Sequence, residues 1–179
     1  LRRLNAPIGL ALAGKSPWEI GLSVVAEIVQ AARARERAQG WTARPPAGAA
    51  LHAVVLAAGQ GARYGGPKLL APWGGGSVLQ AALEAAFAAP AASVTVVTGA
   101  HRPQVEAAAR AFADARPDGG RLRLVHASAH AQGLSASLKR GLESLREDAD
   151  GAFIFLGDMP RAPHAGLQPL ADALAAGAA

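Results

Sequence analysis

Apolar segments and amphipathic helical segments alternate four times along residues 51–179, and this alternation restricts the possible folds more than any other feature of the chain. The apolar segments are 51–59, 93–99, 121–128 and 151–160, and the helical segments are 77–89, 102–115, 134–147 and 165–176. Such alternation is typical of a parallel sheet covered by helices on both faces. The sequence therefore predicts a doubly wound, mostly parallel, three-layer α/β/α fold of the Rossmann-like type.

Two of the helical segments carry large apolar side chains at helical spacing, which predicts that one face of each packs in the core. The residues of these two faces are Leu79, Leu83 and Phe87 in the first segment, and Leu134, Leu138, Leu142 and Leu145 in the third.

Glycines or short polar residues follow three of the predicted strands, at 59–68, 98–101 and 157–160. In doubly wound sheets, ligands bind at the carboxyl ends of the strands. We therefore expect these three loops to form one ligand site.

The loop after the first strand, Gly59–Lys68, contains four glycines, one arginine and one lysine. A glycine-rich turn between a strand and a helix presents backbone N–H groups to phosphate oxygens, and nearby cations balance the phosphate charge. The spacing of Gly59, Gly61 and Gly65 is one residue too long for a dinucleotide fingerprint. Pro67 interrupts the P-loop pattern, and Leu69 replaces its hydroxyl residue. The loop therefore predicts phosphate binding, but it matches neither of these two motifs.

Composition excludes several other functions. The chain has no cysteine, which excludes disulfides, thiolate metal sites and cysteine nucleophiles. The net charge of +5 favours anionic partners. Binding of nucleic acid is supported only by this charge, because no aromatic residues interleave with Arg33, Arg35 and Arg37. No run is long and apolar enough to span a membrane. We expect a cytoplasmic protein that binds neither nucleic acid nor membrane.

The first fifty residues form a separate part of the chain. Ser16, Pro17 and Glu19 form a helix-start signature. Residues 41–50, "WTARPPAGAA", have the proline and small-residue content of a linker. The expected organisation is therefore an N-terminal unit at 1–40, a linker at 41–50 and the α/β domain at 51–179.

Four segments of the α/β domain resemble nucleotidyltransferases of the MobA-like family, which includes the molybdenum cofactor cytidylyl- and guanylyltransferases. The segments are "LAAGQGARYGGPKLL", "VTVVTGAH", "HAQGLSASLKRGL" and "FIFLGDMP". They occur in the family's order and at about its spacing. His130 stands where the family more usually has Asn or Asp.

The resemblance implies roles for individual residues. Arg63, Lys68 and Asp158 would be the catalytic residues: the two cations would neutralise a triphosphate, and Asp158 would bind Mg²⁺. "AAG" at 57–59 is closer to the cytidylyl branch, which transfers CMP from CTP to the terminal phosphate of molybdopterin cofactor. The implied nucleotide contacts are Leu56, Ala57, Ala58, Gly59, Gly61, Arg63, Lys68, Thr98, Gly99, Gln132, Gly133, Ser135 and Asp158.

Several of these residues also have an ordinary structural explanation. Arg63 and Lys68 could be simple loop cations, and Asp158 could cap the turn before Pro160. Ser135 and Ser137 suit the start of the following helix, and Gln132 and Gly133 suit a turn. The two remaining histidines near these loops, His101 and His126, are interpreted as surface or structural residues.

The N-terminal unit has a resemblance of its own. "LNAPIGLALAGKSPWEIGLSVVAEIV" is similar to the end of the XdhC/CoxI family, with Ala11 where Asp is usual. That family handles molybdenum cofactor, so an apo-enzyme of the xanthine dehydrogenase type is a possible partner. The MobA-like family continues beyond this chain's last motif, which implies that the α/β domain is incomplete at its C-terminal end.

Three functions therefore remain open. The first is molybdenum cofactor cytidylyl transfer with Mg²⁺. The second is nucleotidyl transfer to a sugar phosphate or methylerythritol phosphate. The third is a non-catalytic chaperone that binds and inserts molybdenum cofactor.

Overall fold

The computed structural model describes residues 50–61, 65–147, 149–162 and 167–175. All of them lie in the second of the two units into which the chain divides, Pro45–Ala179. The expected XdhC-like unit at 1–40, the linker at 41–50 except Ala50, and the predicted catalytic residue Arg63 lie outside the described residues.

The described elements follow the predicted alternation. The strands are β1 (Leu51–Ala57), β2 (Pro72–Trp73), β3 (Gly76–Ser77), β4 (Ser93–Thr98), β5 (Leu122–His126) and β6 (Gly151–Leu156). The helices are α1 (Val78–Ala88), α2 (Arg102–Asp114), α3 (Leu134–Glu143) and α4 (Leu167–Ala175). Each predicted strand and helix is present, and its ends differ from the predicted ones by at most four residues.

The main sheet has four parallel strands in the order β5-β4-β1-β6. The chain runs outward from β1 through β4 to β5 and then returns to place β6 on the other side of β1. The strand order therefore reverses between β1 and β6, and ligands bind beside such a reversal in open α/β sheets. The Gly59–Lys68 loop and Asp158 follow these two strands. The predicted doubly wound α/β fold is confirmed.

Strand β1 is buried along its whole length because both of its faces are covered. Ala53, Val55 and Ala57 face a core cluster that includes the predicted α1 face, Leu79, Leu83 and Phe87. Val54 and Leu56 face the opposite cluster, against which Leu138 and Leu145 pack. The alternation along β1 thus places one helical layer on each side of the sheet.

The predicted apolar face of α3 is only partly in the core. Leu138 and Leu145 pack against the sheet, whereas the side chains of Leu134 and Leu142 are 60% and 44% exposed. The buried residues of α3 are Ser137 and Gly141. A Cβ on Gly141 would lie 2.7 Å from Val54 Cγ1, so the helix backbone packs directly on the sheet. The expectation of a continuous leucine stripe in the core is wrong because small residues occupy the line of closest approach.

A short hairpin precedes α1 and was not predicted. Strands β2 and β3 are antiparallel and have only two residues each. Their turn is Gly74–Gly75, with φ of 55° and 88°. Positive φ at both central residues is characteristic of the tight hairpin turn that glycine favours. Ser77 then begins α1 through a capping box with Gln80.

Arg121 connects the end of α1 to the loop before β5. Its guanidinium donates hydrogen bonds to the carbonyls of Phe87 at 2.6 Å and Ala91 at 2.8 Å, and to the carboxylate of Asp118. The hydrogen bond from Arg121 to Asp118, with a second from Arg116, holds the pKa of Asp118 below its ordinary value of 3.8. None of the helices in the described ranges has the length and apolarity needed to cross a membrane.

Candidate functional site

A cleft of about 430 Å³ lies at the carboxyl ends of β1 and β6. It brings together the loops after these strands, the start of α2 and the start of α3. The described residues that line it are Leu56, Ala58, Gly59, Gly61, Pro67, Lys68, Leu69, His101, Val105, His130, Gly133, Leu134, Ser137, Leu156 and Asp158.

The glycine loop forms one wall through its backbone. Gly61 has φ of 62°, and a Cβ there would collide with the carbonyl oxygen of Gly66. The Lys68 N–H donates to the same carbonyl at 2.8 Å. Gly59 differs from Gly61, because no described atom lies within 4 Å of a Cβ built there. Gly61 is therefore required by the loop's own geometry, whereas Gly59 leaves open space in the cleft.

The end of β4 supports this loop from the neighbouring strand. Gly99 lies so close to Ala58 that a Cβ would collide with the Ala58 carbonyl oxygen. Next to it, His101 Nε2 lies 2.9 Å from the carbonyl oxygen of Gln60. A carbonyl oxygen only accepts, so Nε2 carries the proton in this contact. His101, interpreted from the sequence as a surface or structural residue, therefore lines the cleft and holds the glycine loop.

Lys68 and Asp158 meet across the cleft. Lys68 Nζ donates to Asp158 Oδ2 at 3.0 Å, and the two side chains are 47% and 48% exposed. An ion pair with this exposure contributes at most about 1 kcal/mol to stability. The ion pair can therefore break, and each group can bind ligand atoms instead, at a small cost in folding free energy.

The start of α3 forms the opposite wall. Gly133 precedes the helix with φ of 117°, and no side chain among the described residues caps it. Ser135 and Ser137 thus do not cap this helix, contrary to one interpretation of the sequence. Ser137 is buried and lines the cleft, whereas Ser135 is exposed and lies outside the cleft wall. The first N–H groups of α3 remain available to a ligand.

His130, which replaces the more usual Asn or Asp, also lines the cleft. Its Nδ1 is buried and has no hydrogen-bond partner among the described residues. The His126 ring lies 6.2 Å away, measured between ring centroids, but outside the cleft wall. A buried ring nitrogen without a partner is a further polar group that a ligand could satisfy.

Seven of the predicted nucleotide contacts line the cleft together: Leu56, Ala58, Gly59, Gly61, Lys68, Gly133 and Asp158. Ala57, Thr98, Gly99, Gln132 and Ser135 are not in its wall. Thr98 is buried, and its hydroxyl is directed to Glu106 and to the Val125 carbonyl. Gly99 closely contacts Ala58, which does line the cleft.

The remaining cleft residues were not predicted as contacts. Ser137 and Leu134 belong to a quoted family segment, so their position next to Gly133 was a usable signal. His101 likewise ends the segment "VTVVTGAH", but its contact with Gln60 depends on the tertiary structure.

Asp158 is the only carboxylate in the cleft wall that the structure describes. No group of three or more His, Cys, Asp or Glu residues among the described residues could hold a metal ion. Mg²⁺ does not need such a group, since it commonly keeps several waters and binds one or two carboxylates together with substrate phosphates. An accessible carboxylate beside a glycine-rich loop fits this mode of binding.

The chain is similar to a family of transferase domains and to several solved structures. Residues 53–179 match the family model described as the MobA-like NTP transferase domain. Rv0371c from Mycobacterium tuberculosis H37Rv is 30% identical over 72% of this chain and 62% of its own length, with a TM-score of 0.58. A second structure of Rv0371c is a complex with manganese.

Two further solved structures extend the comparison. The nucleotidyl transferase Mth528 from Methanothermobacter is 32% identical over 68% of this chain and 56% of its own, with a TM-score of 0.54. The 4-diphosphocytidyl-2C-methyl-D-erythritol synthase from Anaerococcus prevotii is 19% identical over 75% of this chain and 54% of its own, with a TM-score of 0.57, and supports the fold alone. The chain thus spans about three fifths of these proteins or slightly less. No curated protein matches it.

Proposed function

Because the chain belongs to the MobA-like NTP transferase family, whose model matches residues 53–179, we propose that its cleft transfers CMP from CTP to the terminal phosphate of molybdopterin cofactor. An oxygen of the acceptor phosphate attacks the α-phosphorus of CTP. A new P–O–P bond forms, the bond between the α-phosphorus and its bridging oxygen breaks, and pyrophosphate leaves with the electron pair. No covalent enzyme intermediate is required, so positioning and charge neutralisation carry the catalysis.

One observation carries the proposal: the glycine loop, Lys68 and Asp158 converge on a single cleft, with Lys68 Nζ 3.0 Å from Asp158 Oδ2. Backbone N–H groups of the loop would bind phosphate oxygens, and Lys68 would neutralise their charge. Arg63, which lies outside the described residues, is proposed to assist Lys68. His101 would keep the loop in its binding conformation through Gln60.

Asp158 would hold Mg²⁺ together with phosphate oxygens of CTP. When bound, the ion would withdraw charge from the α-phosphate and stabilise the departing pyrophosphate. CTP is preferred over GTP on the resemblance of "AAG" at 57–59 to the cytidylyl branch. Transfer of the product to an apo-molybdoenzyme of the xanthine dehydrogenase type remains a prediction.

Thermal unfolding of the chain with CTP, GTP or ATP, each with and without Mg²⁺, tests nucleotide binding. A ligand at a hundred times its Kd adds about 2.7 kcal/mol to the stability of the folded state. CTP with Mg²⁺ should raise the Tm, and Lys68→Ala or Asp158→Ala should remove most of the rise. Lys139→Ala is the matched control, because Lys139 is an exposed lysine outside the cleft wall. A larger shift with GTP would assign the guanylyl branch.

Pyrophosphate release tests the acceptor. Release should require CTP, Mg²⁺ and molybdopterin together. Pyrophosphate release with methylerythritol phosphate or a sugar phosphate, and not with molybdopterin, would mean that the protein is a nucleotidyltransferase with a different acceptor. Molybdopterin binding without pyrophosphate release would leave the cofactor chaperone as the function.

A further inference from the structure

Two side-chain contacts join the same pair of chain segments beside the cleft. The first is the ion pair of Lys68 and Asp158, at 3.0 Å. The second places the guanidinium carbon of Arg161 5.5 Å from the centroid of the Trp73 ring. Trp73 belongs to the hairpin five residues after Lys68, and Arg161 comes three residues after Asp158.

Arg161 differs from most other described arginines in its partners. The arginines with ion pairs to carboxylates are Arg102, Arg110, Arg116 and Arg121. Arg161 is exposed, and among the described residues its guanidinium has no hydrogen bond or ion pair. The carboxylate nearest to it along the chain, Asp158, is paired with Lys68. Among the described residues, the partner of the Arg161 guanidinium is thus the indole ring of Trp73.

A guanidinium packed on an aromatic face keeps the N–H groups at its edge free. The ring restricts the side chain at little cost to its hydrogen-bonding capacity. The free edge matches two oxygens of a phosphate or carboxylate, which makes the pair of bonds both strong and directional. The Trp73–Arg161 pair therefore has the chemistry of an anion site.

The site lies close to the reacting groups. Three residues span at most about 11 Å of extended chain, and a turn in which the Ala162 N–H donates to the Met159 carbonyl at 3.3 Å shortens this path. The Cα atoms of Arg161 and Asp158 thus lie within about 11 Å of each other, and the Arg161 guanidinium packs on the hairpin residue Trp73. Neither Trp73 nor Arg161 is in the wall of the cleft assigned to the nucleotide.

We propose that Arg161, positioned by Trp73, binds the phosphate monoester of the acceptor and presents it to the nucleotide. This inference rests on the proposed function, because it assigns the second substrate of the same reaction. Arg161 contacts the substrate, and Trp73 is a positioning residue that acts through Arg161.

The test measures molybdopterin binding to the full chain by calorimetry, with CTP–Mg²⁺ binding measured in parallel. Arg161→Gln should weaken molybdopterin binding by about ten- to a hundredfold, the effect of losing a hydrogen bond between charged groups. Arg161→Lys and Trp73→Leu should have smaller effects, since one keeps the charge and the other keeps the guanidinium. CTP–Mg²⁺ affinity should stay within about twofold of the wild-type value in all three variants, because neither residue lines the nucleotide cleft.

Two controls distinguish phosphate recognition from a structural contact. Arg123→Gln changes an exposed arginine on β5, at the opposite edge of the sheet, and should leave molybdopterin binding unchanged. Dephosphorylated molybdopterin should bind the wild-type protein and the Arg161→Gln variant equally. A variant effect that persists without the phosphate would overturn the proposal in favour of a purely structural Trp73–Arg161 contact.

The remaining outcomes are also decisive. Equal molybdopterin affinity of the wild-type protein and Arg161→Gln overturns the inference. The inference is also overturned if Arg161→Gln loses as much affinity for CTP–Mg²⁺ as for molybdopterin, because Arg161 would then be a triphosphate ligand. No molybdopterin binding with normal CTP–Mg²⁺ binding overturns the inference and leaves nucleotide binding intact. Molybdopterin binding that depends on Arg161, without any CTP binding, supports the inference and contradicts cytidylyl transfer.

Discussion

Lys68 and Asp158 are ninety residues apart in the sequence, yet Lys68 Nζ lies 3.0 Å from Asp158 Oδ2. Without ligand, the ammonium group is the counter-ion of the carboxylate. A divalent cation would compete with Lys68 for this carboxylate, whereas a triphosphate would give Lys68 a new partner. Binding of metal and of nucleotide should therefore be coupled through this pair.

We predict that CTP strengthens Mn²⁺ binding, within the range of roughly 5- to 150-fold that is common for coupled sites. Lys68→Ala should strengthen the binding of Mn²⁺ alone, because it removes the competing cation, and should weaken the binding of CTP–Mn²⁺. Titration calorimetry measures both affinities. Weaker binding of Mn²⁺ alone in Lys68→Ala would contradict the competition.

The two glycines at the start of the loop should respond differently to substitution by alanine. Gly59→Ala should leave the Tm nearly unchanged and weaken nucleotide binding at least tenfold, since its methyl group would enter open cleft space. Gly61→Ala should lower the Tm and also weaken nucleotide binding, because the alanine would have a positive φ and its Cβ would collide with Gly66. The φ strain alone costs about 1–2 kcal/mol. Thermal unfolding and nucleotide titration separate the two effects.

Gly65→Ala is the matched control for this pair. It shares the positive φ of Gly61, at 76°, but no described atom lies within 4 Å of its Cβ. Its loss of stability should therefore be smaller than that of Gly61→Ala. Equal losses would mean that the contact with Gly66 has no importance.

The hydrogen bond from His101 to Gln60 should affect nucleotide binding more than the chemical step. His101→Ala frees the glycine loop, so we expect KM for CTP to rise several-fold with a smaller change in kcat. His101→Asn and His101→Gln keep a side-chain N–H donor, and the one that reaches Gln60 should restore KM. Steady-state kinetics of pyrophosphate release measures both constants. A change confined to kcat would instead give His101 a direct part in the reaction.

Gly141→Ala should destabilise the fold without affecting the cleft. Alanine in a helix interior is normally about 1 kcal/mol more favourable than glycine. Here the added Cβ would lie 2.7 Å from Val54 Cγ1 and 2.9 Å from Val97 Cγ2, both fully buried. Overpacking of a core typically costs about 1–3 kcal/mol, so the net effect should be a loss. Urea unfolding measures it, and a gain in stability would show that α3 moves away from the sheet freely.

The lowered pKa of Asp118 predicts a pH dependence of stability. The folded state binds this proton more weakly than the unfolded chain, so the stabilisation is present above the ordinary pKa of 3.8 and disappears as pH falls through the lower folded value. Asp118→Asn should lower the urea midpoint at pH 7. The difference in midpoint between the variant and the wild type should shrink as the pH falls below the ordinary pKa of 3.8. Glu84→Gln, on an exposed position of α1, is the control at each pH.

The main elements could be predicted from apolar periodicity because each strand and helix buries a continuous face. Contacts between small residues gave no such signal. Gly141 brings α3 so close to the sheet that Leu134 and Leu142 remain exposed, and no pattern of large side chains reveals this. The end of α3 at Glu143, four residues earlier than expected, coincides with a hydrogen bond from the Ser144 hydroxyl to the Gly141 carbonyl at 2.6 Å.

The candidate site was predictable to the extent that family motifs contain its residues. Lys68, Gly59 and Asp158 belong to such motifs and meet in the cleft. His101 also belongs to such a motif, but it was interpreted only as a surface or structural residue, because its hydrogen bond to Gln60 depends on how β4 lies beside β1. Two-residue strands such as β2 and β3 are likewise too short for any periodicity, and only the paired glycines of their turn were visible in the sequence.

The strand order also determines when the site can form during synthesis. Strand β1 can pair with β4 once residue 98 has been made, but its partnership with β6, which pairs Leu51 with Gly151, must wait for residue 156. Closing so long a loop is the slow, entropically costly part of forming a parallel sheet. Until that strand docks, a nascent chain has the glycine loop and Lys68 but not Asp158. A nucleotide that needs both Lys68 and Asp158 could therefore bind only after β6 has joined the sheet.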